Sequence, residues 1–175
     1  MSRGKVSVLT GTGKGKTTSA LGRCLEGWLE GKKVGVLQFI KGDRSYGELN
    51  ASTHMGNSFQ IRQMGLGFVR YSDKSSLELH KKNALAALDE ALQLMKSKTC
   101  DIIVLDELNY AIHFNLLEED HVAEVIRQKP EDLVLIITGR YARHSIIDQC
   151  DEVYEFNDVK HYSAKGVAAR EGIEY

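Results

Sequence analysis

The feature that most constrains this chain is a short segment that joins an apolar run to a helical pattern through closely spaced glycines. It runs from Val8 to Leu21 and reads VLTGTGKGKTTSAL. Glycines let successive backbone N–H groups converge on one anion, and the start of the following helix adds a positive end. The ending Gly15-Lys16-Thr17 matches the phosphate-loop pattern G-x-x-x-x-G-K-[ST]. The segment therefore predicts a strand, a phosphate-binding loop and a helix.

This loop departs from the pattern by one residue. The position five before Gly15 holds Thr10, and the nearest glycine is Gly11, so the loop is one residue shorter. We still expect phosphate binding, with Lys16 as a point charge and the Thr17 hydroxyl on the metal. A glycine-rich turn with solvated lysines is the alternative, and the flanking strand and helix argue against it. The expected phosphate cradle consists of Gly11, Thr12, Gly13, Lys14, Gly15, Lys16, Thr17 and Thr18.

A second apolar run ends in two adjacent carboxylates. Residues 102–106 read IIVLD and are followed by Glu107. In phosphate-loop proteins, acidic groups at the end of such a strand hold Mg²⁺ directly or through water, and the metal neutralises phosphate charge. The alternative is that Asp106 and Glu107 only cap the next helix, since acidic residues favour that end. With Thr17, the two carboxylates predict a site for a nucleotide and Mg²⁺ or Mn²⁺.

Apolar runs of strand length alternate with helical patterns along the chain. Several runs are apolar without alternation, which is typical of parallel strands covered on both faces. The predicted strands are residues 5–10, 34–40, 59–62, 102–106, 133–138 and 152–156. Apolar residues at helical spacing predict helices ahead of Gly31, over residues 77–95 after a capping box at Ser75 and Glu78, and around residues 121–128.

Strand–helix alternation of this kind predicts a doubly wound α/β fold with a mostly parallel sheet and right-handed crossovers. We expect a P-loop NTPase-like (RecA-like) fold that forms a single domain over residues 1–175. Ligands of such sheets bind beyond the carboxyl ends of the strands. Two Gly- and polar-rich stretches, residues 41–57 and 65–76, each follow a strand, and we expect functional loops there.

Composition limits the functions open to this chain. Its formal net charge is −1, so its overall field gives no reason to expect nucleic acid or a membrane surface as a partner. The longest apolar runs are far shorter than a membrane span, and the first strand leaves no room for a signal peptide. Cys24, Cys100 and Cys150 are odd in number and lack C-x-x-C spacing, which suits a reducing cytoplasm. We therefore expect a cytoplasmic protein.

Beyond the loop, a series of segments resembles one family. The chain is similar over nearly its whole length to P-loop-type ATP:cob(I)alamin adenosyltransferases, in which the shortened loop is itself typical. The segments that carry the resemblance are TGTGKGKTT, VLQFIKG (36–42), GLGF (65–68), IIVLDELNYAI (102–112), LIITGRYA (135–142) and the terminal GIEY.

The resemblance implies a reaction and a set of roles. The family transfers the 5′-deoxyadenosyl group of ATP to cobalt(I) of a reduced corrinoid and releases tripolyphosphate. It binds ATP reversed relative to other P-loop proteins, so that the loop holds the leaving tripolyphosphate and C5′ faces outward. By resemblance, Thr17 and Glu107, with Asp106 nearby, hold the metal, and Arg140 neutralises phosphate charge. An exposed surface ion pair is the alternative for Arg140.

The resemblance also implies an aromatic contact with the corrinoid. Family members use the aromatic residues of a G-x-G-F-x-W segment to hold cobalt(II) corrinoid without its lower axial ligand. Phe68 matches this segment, whereas Arg70 stands at the tryptophan position with Tyr71 beside it. Phe68 is therefore expected to bind the corrinoid, with a place in the core as the alternative.

Family resemblance implies partners as well. The substrates are ATP and cobalamin or another corrinoid, the reductant is a flavoprotein, and the chain forms a homodimer. Many relatives carry an N-terminal extension that folds over the active site. This sequence starts close to its first strand, so we expect the two long loops or the C-terminal tail to close the site.

Two other functions remain open from the residues themselves. A nucleoside or nucleotide kinase shares the loop and the metal but needs a base for its hydroxyl acceptor. A regulatory NTP-binding module would use its loops to read the γ-phosphate. The products distinguish the three: tripolyphosphate for an adenosyltransferase, ADP for a kinase, and slowly formed ADP with phosphate for a switch.

Overall fold

The computed structural model describes residues 4–42, 47–67, 69, 74–161 and 166. These residues build one six-stranded sheet in the order β3-β2-β4-β5-β1-β6, and every neighbouring pair of strands is parallel. The strands are β1 (Val6–Thr10), β2 (Val34–Gln38), β3 (Phe59–Gln63), β4 (Ile102–Asp106), β5 (Val134–Thr138) and β6 (Glu152–Glu155). All six predicted strands are confirmed, with ends that move by one or two residues.

Six helices and one 3₁₀ turn connect the strands of the described chain. The helices are α1 (Lys16–Leu29), α2 (Gly47–Met55), α3 (Lys74–Ser97), α4 (Leu108–His113), α5 (Glu119–Arg127) and α6 (His144–Ile147), and the turn is Gly56–Ser58. Within the described ranges, no helix combines the length and the apolar character that crossing a membrane requires.

The central strands send alternate side chains into two apolar layers. In β4, Ile103 and Leu105 pack in a cluster with Leu88 of α3, whereas Val104 packs on the other face with Ala20 of α1. Successive side chains of a strand point to opposite faces, so both layers draw on the same short run. Helices thus cover both faces of the sheet, which explains why these strands show no polar alternation. The predicted doubly wound α/β arrangement is confirmed.

The carboxyl ends of the strands lie side by side at one edge of the sheet. In the strand register, Gln38 of β2 lies opposite Asp106 of β4, and Leu9 of β1 lies opposite Thr138 of β5. Strand β5 separates β1, which leads into the glycine loop, from β4, which ends in the acidic pair. This edge therefore brings together three segments that are far apart in sequence: the glycine loop, the end of β2 and the acidic pair.

Several helical residues differ from the sequence predictions. The sequence predicts a loop over residues 41–57, but α2 occupies most of the second half of that stretch. None of the α2 residues is buried, so no apolar stripe marks the helix in the sequence. Helices α4 and α6 are too short for a helical period to be recognised. Helix α3 already begins at Lys74, so Ser75 lies inside its first turn rather than at the cap, and residues 74–76 are not part of a loop.

Candidate active site

The glycine loop between β1 and α1 packs closely against the chain that follows β6. The Gly13 N–H donates to the carbonyl oxygen of Phe156 at 2.7 Å, and the Lys14 N–H donates to the carboxylate of Asp158 at 3.1 Å. Gly11 has a φ of 98°, and a Cβ atom there would lie 2.3 Å from the same Phe156 oxygen. A side chain at position 11 is thus excluded both by its backbone conformation and by this contact. The loop geometry requires the glycine that the shortened pattern retains.

The Lys16 side chain folds back over this loop. It is only 6% exposed, and its Nζ donates to the carbonyl oxygens of Gly11 at 2.9 Å and Gly13 at 2.5 Å. Burial lowers the pKa of Lys16 from its usual value, the Glu107 carboxylate opposes that shift, and the Arg140 charge adds to it. The ammonium group is therefore held over the loop, within the electrostatic reach of both residues.

One oxygen of the Asp106 carboxylate ties two neighbouring elements together. Its Oδ1 accepts hydrogen bonds from Thr17 Oγ1 at 2.8 Å and Thr138 Oγ1 at 2.7 Å. The Thr138 hydroxyl in turn accepts the Glu107 N–H at 2.9 Å. Asp106 is completely buried. A buried carboxylate is costly unless it is hydrogen-bonded, so these bonds fix the start of α1 and the end of β5 against β4.

The second oxygen of Asp106 faces a group of polar residues at the end of β2 and in the chain that follows it. Gln38 Nε2 lies 3.2 Å from Asp106 Oδ2 and also 3.2 Å from Glu48 Oε1, so it donates toward both carboxylates. Lys41 Nζ lies 2.5 Å from Glu48 Oε1 and 3.8 Å from Asp106 Oδ2. Burial alone would raise the pKa of Glu48, yet the hydrogen bonds from Lys41 and Gln38 help to hold it below its usual value.

Glu107 directly precedes α4 and has an uncommon backbone conformation. Its φ and ψ are 61° and 23°, in the left-handed region that non-glycine residues adopt infrequently. Among the described residues its carboxylate makes no capping hydrogen bond to α4, which argues against a pure capping role. Burial raises the pKa of Glu107, with the Asp106 carboxylate adding to the shift and Lys16 opposing it. The side chain is thus a partly desolvated acid beside the loop lysine.

Arg140 stands at the end of β5 on the same edge of the sheet. It follows Gly139, whose φ is 128° and where a Cβ atom would lie 3.0 Å from the Asn109 Cβ and the Tyr110 nitrogen. Arg140 is exposed, and within the described ranges it makes no ion pair. The alternative of a surface ion pair therefore has no support in the described part of the chain.

An aromatic cluster lies next to Arg140. The rings of His113 and Tyr141 stack with centroids 4.1 Å apart, and Tyr110 meets Phe114 edge-on at 4.2 Å. Tyr141 has a left-handed φ of 62° and is 47% exposed. The cluster joins α4 to the segment after β5, and sequence reasoning did not identify it. The signal that would have found it is the spacing of three rings at positions 110, 113 and 114, two on α4 and the third directly after it.

The donor atoms at this edge suit a hard cation. Thr17, Asp106 and Glu107 offer oxygen ligands, which Mg²⁺ prefers. The Oε1 atom of buried Gln38, beside Asp106, has no hydrogen-bond partner in the described chain, and a metal-bound water would supply one. Across the described ranges, no three His, Cys, Asp or Glu residues form a metal cluster of their own. Mg²⁺ commonly binds through one or two carboxylates together with phosphates and water, so this donor set fits Mg²⁺ that enters with a nucleotide.

The structure brings together most of the residues that the sequence singled out, although their roles stay predictions. The cradle residues form the loop and the start of α1, and Asp106, Glu107 and Arg140 lie at the same edge of the sheet. Phe68, Arg70 and the C-terminal tail beyond His161, Gly166 excepted, lie outside the described residues.

Sequence reasoning missed the contacts around Asp106. The residues concerned are Gln38, Lys41, Glu48 and Thr138. A usable signal exists for Gln38 and Thr138, since each is a polar residue that ends a buried apolar strand. Lys41 lies within the segment 36–42 that carries part of the family resemblance, whereas nothing in the local sequence marks Glu48, an ordinary charged residue in a polar stretch.

Sequence comparison finds close relatives along the whole chain. A profile of the family described as ATP:corrinoid adenosyltransferase BtuR/CobO/CobP matches residues 2–175. Corrinoid adenosyltransferase of Escherichia coli strain K12 is 36% identical over 173 residues, which cover 99% of this chain and 86% of that protein. Corrinoid adenosyltransferase CobA of Salmonella typhimurium has the same identity and coverage. The Pseudomonas aeruginosa enzyme is also 36% identical, over 99% of this chain and 84% of its own.

Comparison with solved structures addresses the fold. A KaiC-like protein from Pyrococcus horikoshii superposes with a TM-score of 0.57 at 19% identity, covering 90% of this chain and 75% of that chain. Flagellar accessory protein FlaH from Methanocaldococcus jannaschii gives 0.55 at 11% identity, covering 89% and 72%. Identities this low bear on the fold alone, and the predicted P-loop NTPase fold is confirmed.

Replacing Thr138 by valine tests the hydrogen bonds around Asp106. Thr138→Val keeps the shape of the side chain but removes one donor from the buried carboxylate and the acceptor of the Glu107 N–H. We expect the free energy of unfolding, measured by urea titration, to fall by about 1–3 kcal/mol. The control is Thr53→Val, because the hydrogen bonds of the exposed Thr53 hydroxyl in the described chain stay within its own helix, to the Asn50 carbonyl and at 3.4 Å to the adjacent His54 ring. Equal losses in the two variants would contradict the bridging role of Thr138.

Proposed function

The chain belongs to the ATP:corrinoid adenosyltransferase family, and we propose how the residues at the carboxyl edge of its sheet carry the reaction of that family. The enzyme transfers the 5′-deoxyadenosyl group of ATP to a reduced corrinoid. Cobalt(I) attacks C5′ of ATP and forms a cobalt–carbon bond. The C5′–oxygen bond breaks, and tripolyphosphate leaves with the bonding electrons. The observation that carries the assignment is the family profile match over residues 2–175.

The reaction does not require covalent catalysis by the protein. Cobalt(I) of the substrate is the nucleophile, so neither a side-chain nucleophile nor a general base is needed. The protein has to align C5′ with the incoming cobalt and stabilise the charge that develops on the leaving group. A site built from a glycine loop, a buried lysine and an exposed arginine meets the second requirement. The kinase alternative, which needs a base for a hydroxyl acceptor, is not favoured.

The glycine loop and Lys16 bind the triphosphate in this proposal. The N-terminal end of α1 and the loop N–H groups beyond Lys14 face the phosphate oxygens, because the N–H groups of Gly13 and Lys14 already donate to Phe156 and Asp158. The Lys16 ammonium, which bonds to the carbonyls of Gly11 and Gly13, exchanges these partners for phosphate oxygens. ATP lies with its tripolyphosphate in the loop and C5′ directed outward, toward the corrinoid.

Thr17, Asp106 and Glu107 would hold Mg²⁺ or Mn²⁺ beside the phosphates. When bound, the metal neutralises phosphate charge and so makes tripolyphosphate a better leaving group. Support comes from the hydrogen bond that joins Thr17 to Asp106 and from the partly desolvated carboxylate of Glu107. Arg140 adds a further positive charge for the leaving group, since its guanidinium is exposed and acts electrostatically on both Lys16 and Glu107.

Family membership suggests the remaining features of the protein. We propose that residues 1–175 form a single domain and that two copies form a homodimer in the cytoplasm. A flavoprotein supplies the electrons that reduce the corrinoid, which is cobalamin or a close relative. Phe68 packs against the lower face of the corrin and excludes the axial ligand, which keeps cobalt reducible.

An anaerobic assay tests the function directly. The protein is mixed with ATP, Mg²⁺ and chemically reduced cobalamin, and the cobalt(I) absorption spectrum is followed. We expect enzyme-dependent loss of that spectrum and the appearance of adenosylcobalamin. ATP consumption with an unchanged cobalt(I) spectrum would contradict the proposal.

Replacing Lys16 by alanine tests the phosphate loop. Lys16→Ala removes a charge that faces the polyphosphate in a partly desolvated site. We expect kcat/KM for ATP to fall by the equivalent of about 2–4 kcal/mol of transition-state stabilisation. Lys32→Ala, on the exposed turn after α1, is the control and should leave kcat/KM unchanged. Wild-type turnover of the Lys16 variant at subsaturating ATP would rule out this role.

Replacing Glu107 by glutamine tests the metal site. Glu107→Gln keeps the size of the side chain and removes its charge, so metal binding should weaken while the fold stays intact. We expect a higher Mg²⁺ concentration for half-maximal activity and a melting temperature close to that of the wild type. Glu131→Gln, an exposed carboxylate far from the loop in sequence, serves as the control. A normal Mg²⁺ titration with a normal rate would assign Glu107 a structural role only.

Replacing Phe68 by alanine separates corrinoid binding from ATP binding. Phe68→Ala should leave the affinity for ATP unchanged. Activity should fall sharply when a biological reductant must generate cobalt(I), and less when cobalt(I) is supplied ready-made, because only the first assay depends on removing the axial ligand. Equal losses in the two assays together with a lower melting temperature would instead identify a core phenylalanine.

A further inference from the structure

A lysine–glutamate ion pair lies beside Asp106, the carboxylate that is proposed to bind the metal. Neither residue of the pair has a role in the reaction described above. Lys41 follows β2, and Glu48 lies in the first turn of α2. Their side chains are only 23% and 18% exposed, and Lys41 Nζ lies 2.5 Å from Glu48 Oε1. Exposed ion pairs contribute little to the free energy of folding. This pair is partly desolvated, so water screens its charges less.

The Lys41 ammonium lies between two carboxylates. It is hydrogen-bonded to Glu48, and it is 3.8 Å from Oδ2 of the buried Asp106. Gln38 links the same two acids, because its Nε2 lies 3.2 Å from an oxygen of each. A movement of about 1 Å would bring the ammonium into hydrogen-bond range of Asp106. The lysine side chain is flexible enough to make that movement.

We propose that Lys41 competes with the divalent cation for Asp106, and that Glu48 is the positioning residue that draws the lysine aside so that the metal can bind. The proposal rests on the metal role of Asp106 in the proposed function. Two positive charges a few ångströms apart repel each other strongly in a partly buried site, so an ammonium on Oδ2 and a divalent cation exclude one another. Since Glu48 belongs to α2, metal affinity becomes linked to the position of that helix.

The competition predicts effects of opposite sign for the two partners. Lys41→Met removes the competing charge and should strengthen metal binding. Glu48→Gln releases Lys41 onto Asp106 and should weaken it. In the double variant no ammonium is left to be released, so most of the Glu48→Gln effect should disappear. A simple through-space effect of the two charges would instead be nearly additive.

The test measures metal binding through its effect on ATP binding, without corrinoid, so that no turnover occurs. Calorimetric titration gives the Kd of ATP in EDTA and in Mg²⁺. The Kd in EDTA divided by the Kd in Mg²⁺ reports the coupling between metal and nucleotide, and a higher ratio means stronger coupling. We expect the ratio to rise roughly fivefold to tenfold in Lys41→Met and to fall by a similar factor in Glu48→Gln. The double variant should resemble Lys41→Met. Because the ratio compares one variant with itself, a direct contact between Lys41 and phosphate largely cancels.

Controls come from an exposed pair of the same chemistry. Lys81 and Glu78 form an ion pair of 3.1 Å on the surface of α3, so Lys81→Met and Glu78→Gln should leave the ratio unchanged. Lys41→Arg keeps the charge and should stay close to the wild type. If thermal melting shows that Lys41→Met does not fold, Lys41→Gln provides the same neutral replacement with a hydrogen-bond donor for Glu48.

The outcomes separate this inference from the function on which it rests. A wild-type ratio of one would overturn the metal role itself and both proposals with it. A ratio above one that stays constant across the Lys41 and Glu48 variants would overturn only the competition. Additive effects of the two substitutions, or a weaker metal response in Lys41→Met, would overturn it as well.

Discussion

The buried carboxylate of Asp106 is the interaction on which the rest of this site depends. A charged group without exposure is tolerated only when its lone pairs are matched by donors. Here the donors come from three different elements, Thr17 at the start of α1, Thr138 at the end of β5, and Gln38 at the end of β2. Satisfying one carboxylate therefore fixes the phosphate loop, the acidic strand and two neighbouring strand ends against each other.

The sequence was sufficient to predict the framework of the fold. Runs such as residues 102–106 are apolar on both faces, and the helical patterns between them leave a parallel sheet as the arrangement that covers every strand. The loop from Gly11 to Lys16 could also be predicted, because phosphate binding needs its glycines and lysine in a fixed order within a short segment. The structure adds a physical reason for Gly11, because its backbone is left-handed and a Cβ atom there would lie 2.3 Å from the Phe156 carbonyl oxygen.

The hydrogen bonds around Asp106 could not be predicted from the sequence, because they join residues that are far apart along the chain. Thr138 and Asp106 are 32 positions apart, and Gln38 and Asp106 are 68 apart, so no local spacing reveals either pair. Helix α2 buries none of its residues and leaves no periodic signal, although it brings Glu48 to the carboxyl edge of the sheet, beside Gln38. Sequence patterns report what an element packs against, whereas these residues are defined by what their polar atoms bond to.

The central claim is that the loop holds the three phosphates of ATP as one leaving group while C5′ reacts with cobalt. ³¹P NMR of the phosphate products, recorded after stoichiometric anaerobic turnover of ATP with reduced cobalamin, tests this claim most directly. The account predicts intact tripolyphosphate in an amount equal to the adenosylcobalamin formed. ADP with inorganic phosphate as the primary products, or pyrophosphate without tripolyphosphate, would contradict it.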